Sequence, residues 1–187
     1  ETSLCRTILP PQIKVLAQSV DLTKTPKSTG KISIPKLFQN GISGFLINHS
    51  ENQKPFSEIE SLLEEAKQFS LVSFVGFSEV NELNSYTDTY PNYFLYEPSE
   101  LIGNSNTPHS QSVIEMKKEV LFKLKNSFPK LKFILGAGIK SEKDFEKTYE
   151  FEFDGIALSS IIMENDSITD KIEEIFKYEQ QYGGKSA

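Results

Sequence analysis

The sequence predicts an α/β domain in which short parallel strands alternate with helices. Short apolar runs rich in β-formers recur along the 187 residues, and amphipathic segments of helical period separate them. Most of these apolar runs are nearly continuous rather than alternating with polar residues, which is typical of strands covered on both faces of a parallel sheet. Together these patterns favour repeated βα units over an all-β or all-helical fold.

Six apolar runs are predicted to be strands. They are residues 13–20, 44–50, 71–77, 92–98, 132–138 and 154–159. The chain shows no low-complexity linker and no shift in composition between them. We therefore expect a single domain over residues 1–187.

Four amphipathic segments between and after these runs are predicted to be helices covering the sheet. They are residues 59–69, 113–128, 141–150 and 167–180. In the first, Ile59, Leu62 and Ala66 share one apolar stripe at helical spacing. Ser141 and Ser167 open the last two segments, and serine is a preferred N-cap, so we expect helices to begin there.

Composition and charge exclude several classes of function. The formal net charge is −6, so we expect neither nucleic acid nor a membrane surface as a partner. The longest apolar runs are far shorter than the roughly 20 residues that cross a bilayer, and we expect a cytoplasmic protein. Cys5 is the single cysteine, which excludes an internal disulfide and a thiolate zinc site, and we expect no metal.

Polar residues at the carboxyl ends of predicted strands are the candidates for function. His49 follows the run FLIN, and Glu97 follows FLY. In parallel α/β folds the ligand binds at these strand ends. Gly136 to Gly138 and the pair Ser159 and Ser160 end two further strands, where backbone N–H groups suit a phosphate. Taken one at a time, these residues also have purely structural explanations. The histidine can be a hydrogen-bonded structural residue, the glutamate can cap a turn, and the glycines can form a tight turn.

Taken together, these motifs resemble triosephosphate isomerase in its short archaeal form. The resemblance runs from about residue 13 to 176 and is carried by GISGFLINHSEN, YEPSELIG, ILGAGIKS and DGIALSS. It implies a TIM (β/α)8 barrel of which this sequence holds about strands three to eight. The family's first strand, first helix and most of the second strand would then be absent from the given sequence, be supplied by another polypeptide, or be lost from a natural remnant.

The resemblance also implies a reaction and the residues that perform it. The family interconverts dihydroxyacetone phosphate and glyceraldehyde 3-phosphate in glycolysis and gluconeogenesis without a cofactor, and its established mechanism uses a glutamate base and a neutral histidine. By match, Glu97 is the base and His49 the electrophile, with Asn48 and Glu51 supporting the site. The expected phosphate-binding residues are Gly103, Gly136, Gly138, Ser159 and Ser160.

Two rival functions and the assembly state remain open at this point. One rival is a non-catalytic relative that binds a phosphorylated metabolite or a protein partner, and the other is a different phosphate-binding βα-barrel enzyme. The loop at 28–30 resembles the interlocking loop that enters a neighbouring subunit in this family. We therefore expect a homo-oligomer, either a dimer or a tetramer.

Overall fold

The structure, a computed structural model, describes residues 8–10, 12–23, 27–98, 111–139, 141–151 and 153–182, with the helix path alone for 111–117. These residues fall into two compact units, which divide between Phe94 and Leu95. Within this part of the chain, no helix combines the length and the apolar character needed to cross a membrane.

The described residues of the first unit form three complete strands, two α-helices and a 3₁₀ helix, and a fourth strand spans the division. In chain order the elements are β1 (Leu16–Ala17), α1 (Ile34–Gln39), β2 (Gly44–Ile47), α2 (Phe56–Gln68), β3 (Val72–Phe77), the 3₁₀ helix (Val80–Ser85) and β4 (Tyr93–Tyr96).

The strands of the first unit pair in parallel and in chain order. In the β2–β3 pair, Gly44 lies opposite Val72 and Ile47 lies opposite Val75. A Cβ atom at position 44 would lie 2.0 Å from the carbonyl oxygen of Val72, so only glycine fits there. The pairing of β2 with β3, on which the histidine site depends, therefore requires this glycine.

Helix α2 and a cluster of aromatic rings cover the first unit's strands. The predicted stripe of α2 is confirmed, because Ile59, Leu62 and Ala66 are buried. The Phe94 ring packs edge-on against Tyr86, with 5.0 Å between ring centroids. Burial, followed by the nearby Glu82 carboxylate, raises the pKa of the Tyr86 phenol.

The second unit begins within β4, and its described residues form two further strands and four helices. They are α3 (Gln111–Ser127), β5 (Phe133–Leu135), α4 (Glu142–Glu150), β6 (Gly155–Ile156), α5 (Ser160–Met163) and α6 (Ile168–Tyr182). β5 and β6 are parallel, with Leu135 opposite Ile156. Asp154, just before β6, accepts hydrogen bonds from the Phe133 N–H (2.8 Å) and from Lys125 Nζ (2.7 Å), which ties α3, β5 and β6 together.

Both predicted serine caps are confirmed. The hydroxyl of Ser141 donates to the Asp144 carboxylate (2.8 Å), which also accepts the Ser141 N–H. The hydroxyl of Ser167 accepts the Asp170 N–H at the start of α6 (3.4 Å). These contacts satisfy backbone and side-chain groups at helix starts, which explains why both helices begin where the sequence predicts.

The predicted α/β class with parallel strands is confirmed. Each of the six predicted runs contains a strand, and the sheet order is that of the chain. The described residues thus supply six strands, where a closed (β/α)8 barrel has eight. The first strand, β1, and the last strand, β6, are shorter than predicted. Ile13 and Ser159, which the prediction included in these strands, lie outside the paired backbone.

Three short helices were not predicted: α1, the 3₁₀ helix and α5. None exceeds six residues, which is too short for a helical period to emerge from the sequence. α1 begins with a proline in its first turn and buries Ile34 and Leu37 against the unit. Tertiary packing, rather than local pattern, stabilises such short helices.

Candidate functional site

His49 lies just beyond the carboxyl end of β2, as predicted. Its side chain is 33% exposed. The backbone N–H of Glu51 donates to its Nδ1 atom at 3.3 Å. Because a neutral imidazole carries one proton, a neutral ring whose Nδ1 accepts this hydrogen bond carries its proton on Nε2.

Glu51 contacts the imidazole chiefly through its backbone. Its carboxylate oxygen Oε2 lies 3.8 Å from Nδ1, but that side chain is 85% exposed. Water screens an ion pair at such a position, so it contributes little. The supporting role expected of Glu51 therefore rests in this structure on its N–H group.

Asn48 joins three backbone segments around the histidine. Its Nδ2 donates to the Gly76 carbonyl of β3 (2.9 Å), and its Oδ1 accepts the Lys54 N–H (3.0 Å). Its own backbone has a φ of 56°, a conformation that asparagine tolerates better than most residues. Gly76 was not among the predicted site residues, because its contact with Asn48 arises only when β2 and β3 pair.

Glu97 follows β4 and is buried, with 7% of its surface exposed. Gly136, which follows β5, packs directly against it. A Cβ atom at position 136 would lie 2.9 Å from Cγ of Glu97 and 2.8 Å from Cδ1 of Leu95. The space for the glutamate side chain therefore depends on a glycine in the neighbouring segment.

The backbone N–H of Gly136 donates to the carbonyl oxygen of Tyr96 at 2.9 Å. That amide contributes to the pairing of the two segments, whereas the sequence suggested a contact with phosphate. The phosphate role of Gly136 stays a prediction. Its observed role is to hold β5 beside β4 and to make room for Glu97.

The remaining predicted phosphate residues follow β5 and β6. Gly138 has a φ of 72°, and Ser159 and Ser160 are exposed at the start of α5. Since β5 and β6 are parallel neighbours, their carboxyl ends lie at the same edge of the second unit's sheet. Gly103, the fifth predicted phosphate residue, lies outside the described residues.

The described residues contain no group of three histidine, cysteine, aspartate or glutamate side chains placed to hold a metal ion. The residues that come together are His49 with Asn48 and Glu51 in the first unit, and Glu97 with Gly136 in the second.

Comparison with known proteins identifies the family. The family model described as triosephosphate isomerase matches residues 2–175. The triosephosphate isomerase of Methanocaldococcus jannaschii is 28% identical over 166 residues, which cover 89% of this chain and 75% of that protein. The triosephosphate isomerase of Methanobrevibacter smithii is 31% identical over 151 residues, covering 81% of this chain and 68% of the relative.

The triosephosphate isomerase of Sulfurisphaera tokodaii is 32% identical over 169 residues, covering 88% of this chain and 71% of that protein. These relatives carry the name of an isomerase, so the rival interpretation of a non-catalytic binding protein is not favoured. Together with the parallel strands and the residues at their carboxyl ends, these matches show that the chain belongs to the triosephosphate isomerase family.

Proposed function

We propose that this protein is a triosephosphate isomerase that interconverts dihydroxyacetone phosphate and D-glyceraldehyde 3-phosphate in glycolysis and gluconeogenesis. The observation that carries the proposal is the hydrogen bond from the Glu51 N–H to Nδ1 of His49, 3.3 Å long. An imidazole that accepts a hydrogen bond at Nδ1 carries its proton on Nε2 when it is neutral, and the family's established mechanism uses a neutral histidine.

His49 acts as the electrophile. Its Nε2–H donates to the substrate's carbonyl oxygen and then to the oxygen of the enediolate as negative charge develops there. A neutral imidazole suits this role, because its N–H stabilises the negative oxygen by a hydrogen bond without placing a full positive charge in the site. Asn48 and Glu51 support the ring from the backbone segments on either side.

Glu97 acts as the base. Its carboxylate removes a proton from the hydroxyl-bearing carbon next to the carbonyl and returns it to the former carbonyl carbon. The hydroxyl proton passes from one oxygen to the other within the enediolate stage, so that the carbonyl and the hydroxyl exchange places. The burial of Glu97 supports this assignment, because a base shielded from bulk water keeps the abstracted proton for the return step. The isomerisation is redox-neutral and needs no electron carrier, and following the family's established mechanism we assign it no metal and no organic cofactor.

The substrate's phosphate is assigned to Gly103, Gly136, Gly138, Ser159 and Ser160. The positive φ of Gly138 and the exposed serines at the start of α5 support this assignment, since such turns present backbone N–H groups. Holding the phosphate away from the reacting carbons orients the triose and contributes binding energy to the transition state.

The direct test is to measure isomerisation by the full-length protein with each triose phosphate as substrate. We expect turnover in both directions and expect Glu97→Gln to lower kcat on the order of 10²- to 10⁴-fold, the usual contribution of a general base. Glu150→Gln is the matched control, because Glu150 is an exposed residue at the end of α4. Loss of activity in the control, or retention in Glu97→Gln, contradicts the assignment of the base.

A binding measurement provides a second test. A site matched to the enediolate binds phosphoglycolate, which resembles that intermediate, far more tightly than inorganic phosphate. Calorimetry with both ligands measures the difference. Equal and weak binding of both ligands contradicts an isomerase site.

We further propose that the protein is a cytoplasmic homo-oligomer, either a dimer or a tetramer. The loop at 28–30 supports an assembly contact: Lys31 N–H bonds to the Ser28 carbonyl (3.0 Å), which closes a tight turn, and Gly30 at its tip is exposed with a φ of 81°. Light scattering measures the assembly directly, and a monomer at micromolar concentration contradicts it.

A further inference from the structure

We infer that Asn48 and Gly76 form a clamp that positions the imidazole of His49, and that both are positioning residues for the reaction. The inference rests on the proposed function for its catalytic meaning, but the clamp itself is a structural claim. Nothing in the sequence pattern marks Gly76, which lies one residue before the end of β3.

The first part of the clamp extends the strand pairing by a side chain. The backbone pairing of β2 with β3 ends at Ile47 opposite Val75. One residue further on, Nδ2 of Asn48 donates to the Gly76 carbonyl at 2.9 Å. The side-chain amide of Asn48 thus links the two strands at the point where the chain turns out of β2 towards His49.

The second part is the close approach that Gly76 permits. A Cβ atom at position 76 would lie 2.6 Å from the carbonyl oxygen of Asn48 and 3.2 Å from Cα of His49. Both of these are backbone atoms, which cannot rotate away as the end of a flexible side chain can. Any larger residue at 76 must therefore displace the peptide that carries His49.

The third part fixes the backbone conformation of Asn48. Its φ of 56° is uncommon for a residue with a side chain, and such a conformation persists where surrounding contacts hold it. The bond from the Lys54 N–H to Oδ1 (3.0 Å) supplies the second such contact. Lys54 is itself held, since its Nζ is 2.7 Å from a carboxylate oxygen of Glu58.

Because His49 is the next residue along the chain, the clamp fixes the position of the His49 backbone. It thereby decides whether Nδ1 of the ring reaches the Glu51 N–H. Releasing the clamp lets the imidazole turn, so that the proton is shared between both ring nitrogens. We expect this to slow catalysis without weakening substrate binding to the same degree.

The experiment compares variants that release the clamp in different ways. Asn48→Gly removes both side-chain bonds while allowing the positive φ, Asn48→Asp removes the donor but keeps the acceptor, and Gly76→Ala imposes the steric displacement. Asn40→Gly is the matched control, because Asn40 also donates from its side chain to a backbone carbonyl (2.7 Å) but at the end of α1.

The decisive readout is the pair of ¹⁵N chemical shifts of the His49 imidazole at a pH where the ring is neutral. The chain has two histidines, so His109→Gln leaves a single imidazole to observe. In the protein with an unaltered clamp and in the Asn40→Gly control, we expect the ¹⁵N shifts to place the proton on Nε2 of His49. We expect the shifts of the two nitrogens to converge in the three clamp variants, with a fall in kcat on the order of tenfold or more and a smaller change in KM.

Each outcome decides the matter. Imidazole shifts that stay unchanged in Asn48→Gly and Asn48→Asp overturn the clamp, even if thermal stability falls, since that result describes a purely structural role. If Gly76→Ala does not fold, the two Asn48 variants decide. If the protein lacks isomerase activity, the proposed function fails, while the imidazole shifts still test the clamp.

Discussion

The two proposed catalytic residues are held in different ways. His49, in the first unit, is one-third exposed, its Nδ1 accepts the Glu51 N–H, and the side chain of the preceding Asn48 donates to the Gly76 carbonyl. Glu97, in the second unit, is 7% exposed, and its side chain occupies the space that the glycine at position 136 leaves. The difference teaches that the part-exposed imidazole can be reoriented by removing a hydrogen-bond partner, whereas the buried carboxylate can be displaced by filling the space beside it.

This contrast makes different changes harmful at each residue. Around His49, removing a hydrogen-bond partner should matter even if the volume is kept. Around Glu97, adding a single methyl group nearby should matter even if no hydrogen bond is lost. The following predictions test that contrast, from the largest expected effect to the smallest.

Replacing the imidazole itself should have the largest effect. We expect His49→Gln to lower kcat on the order of 10²- to 10³-fold, the usual cost of removing one donor to a developing oxyanion. The measurement is steady-state isomerisation in both directions. A loss smaller than about tenfold would show that another group stabilises the enediolate.

Adding volume beside the Glu97 carboxylate should have the next largest effect. We expect Gly136→Ala to lower kcat on the order of 10²-fold, because the new Cβ atom would lie 2.9 Å from Cγ of Glu97 and displace the base. The matched control is Gly155→Ala in the second unit, where the nearest atom is the mobile Cδ1 of Ile134 at 3.3 Å. Equal losses in both variants would mean that the effect comes from the backbone and not from Glu97.

Hydrogen bonds also stabilise a part of the second unit that does not include Glu97. We expect Asp154→Ala to lower the free energy of unfolding by about 1–3 kcal/mol, because the part-buried Phe133 N–H loses its charged acceptor. Urea unfolding followed by circular dichroism measures this. The control is Glu150→Ala, which breaks only the exposed pair with Lys147, and we expect no measurable change there.

The smallest effect concerns the buried tyrosine of the first unit and appears at alkaline pH. Because the folded-state pKa of Tyr86 is raised, its contribution to stability is complete below the unfolded pKa of about 10 and is lost as the pH rises through the folded value. Above about pH 10, the free energy of unfolding of the parent protein should fall by about 1.4 kcal/mol per pH unit through this group. The Tyr86→Phe variant should not show this fall. Urea midpoints at pH 8 and pH 11 test this, and a constant difference between the two proteins contradicts it.

The sequence predicted much of the fold and the identities of the residues proposed for catalysis. Six apolar runs, two serine caps and the stripe of α2 depend on local pattern, and the structure confirms them. His49 and Glu97 could be found because they interrupt apolar runs at strand ends. α1 could not, since six residues do not establish a period.

The sequence by itself determined the order of the six strands and the four longer helices, and the residue types available at the strand ends. Only the tertiary structure decided that Gly76 adjoins the peptide of His49 and that Gly136 adjoins Glu97. The physical reason is that these are contacts between paired segments far apart in the chain. A glycine's missing side chain acquires meaning only when another segment occupies the space beside it.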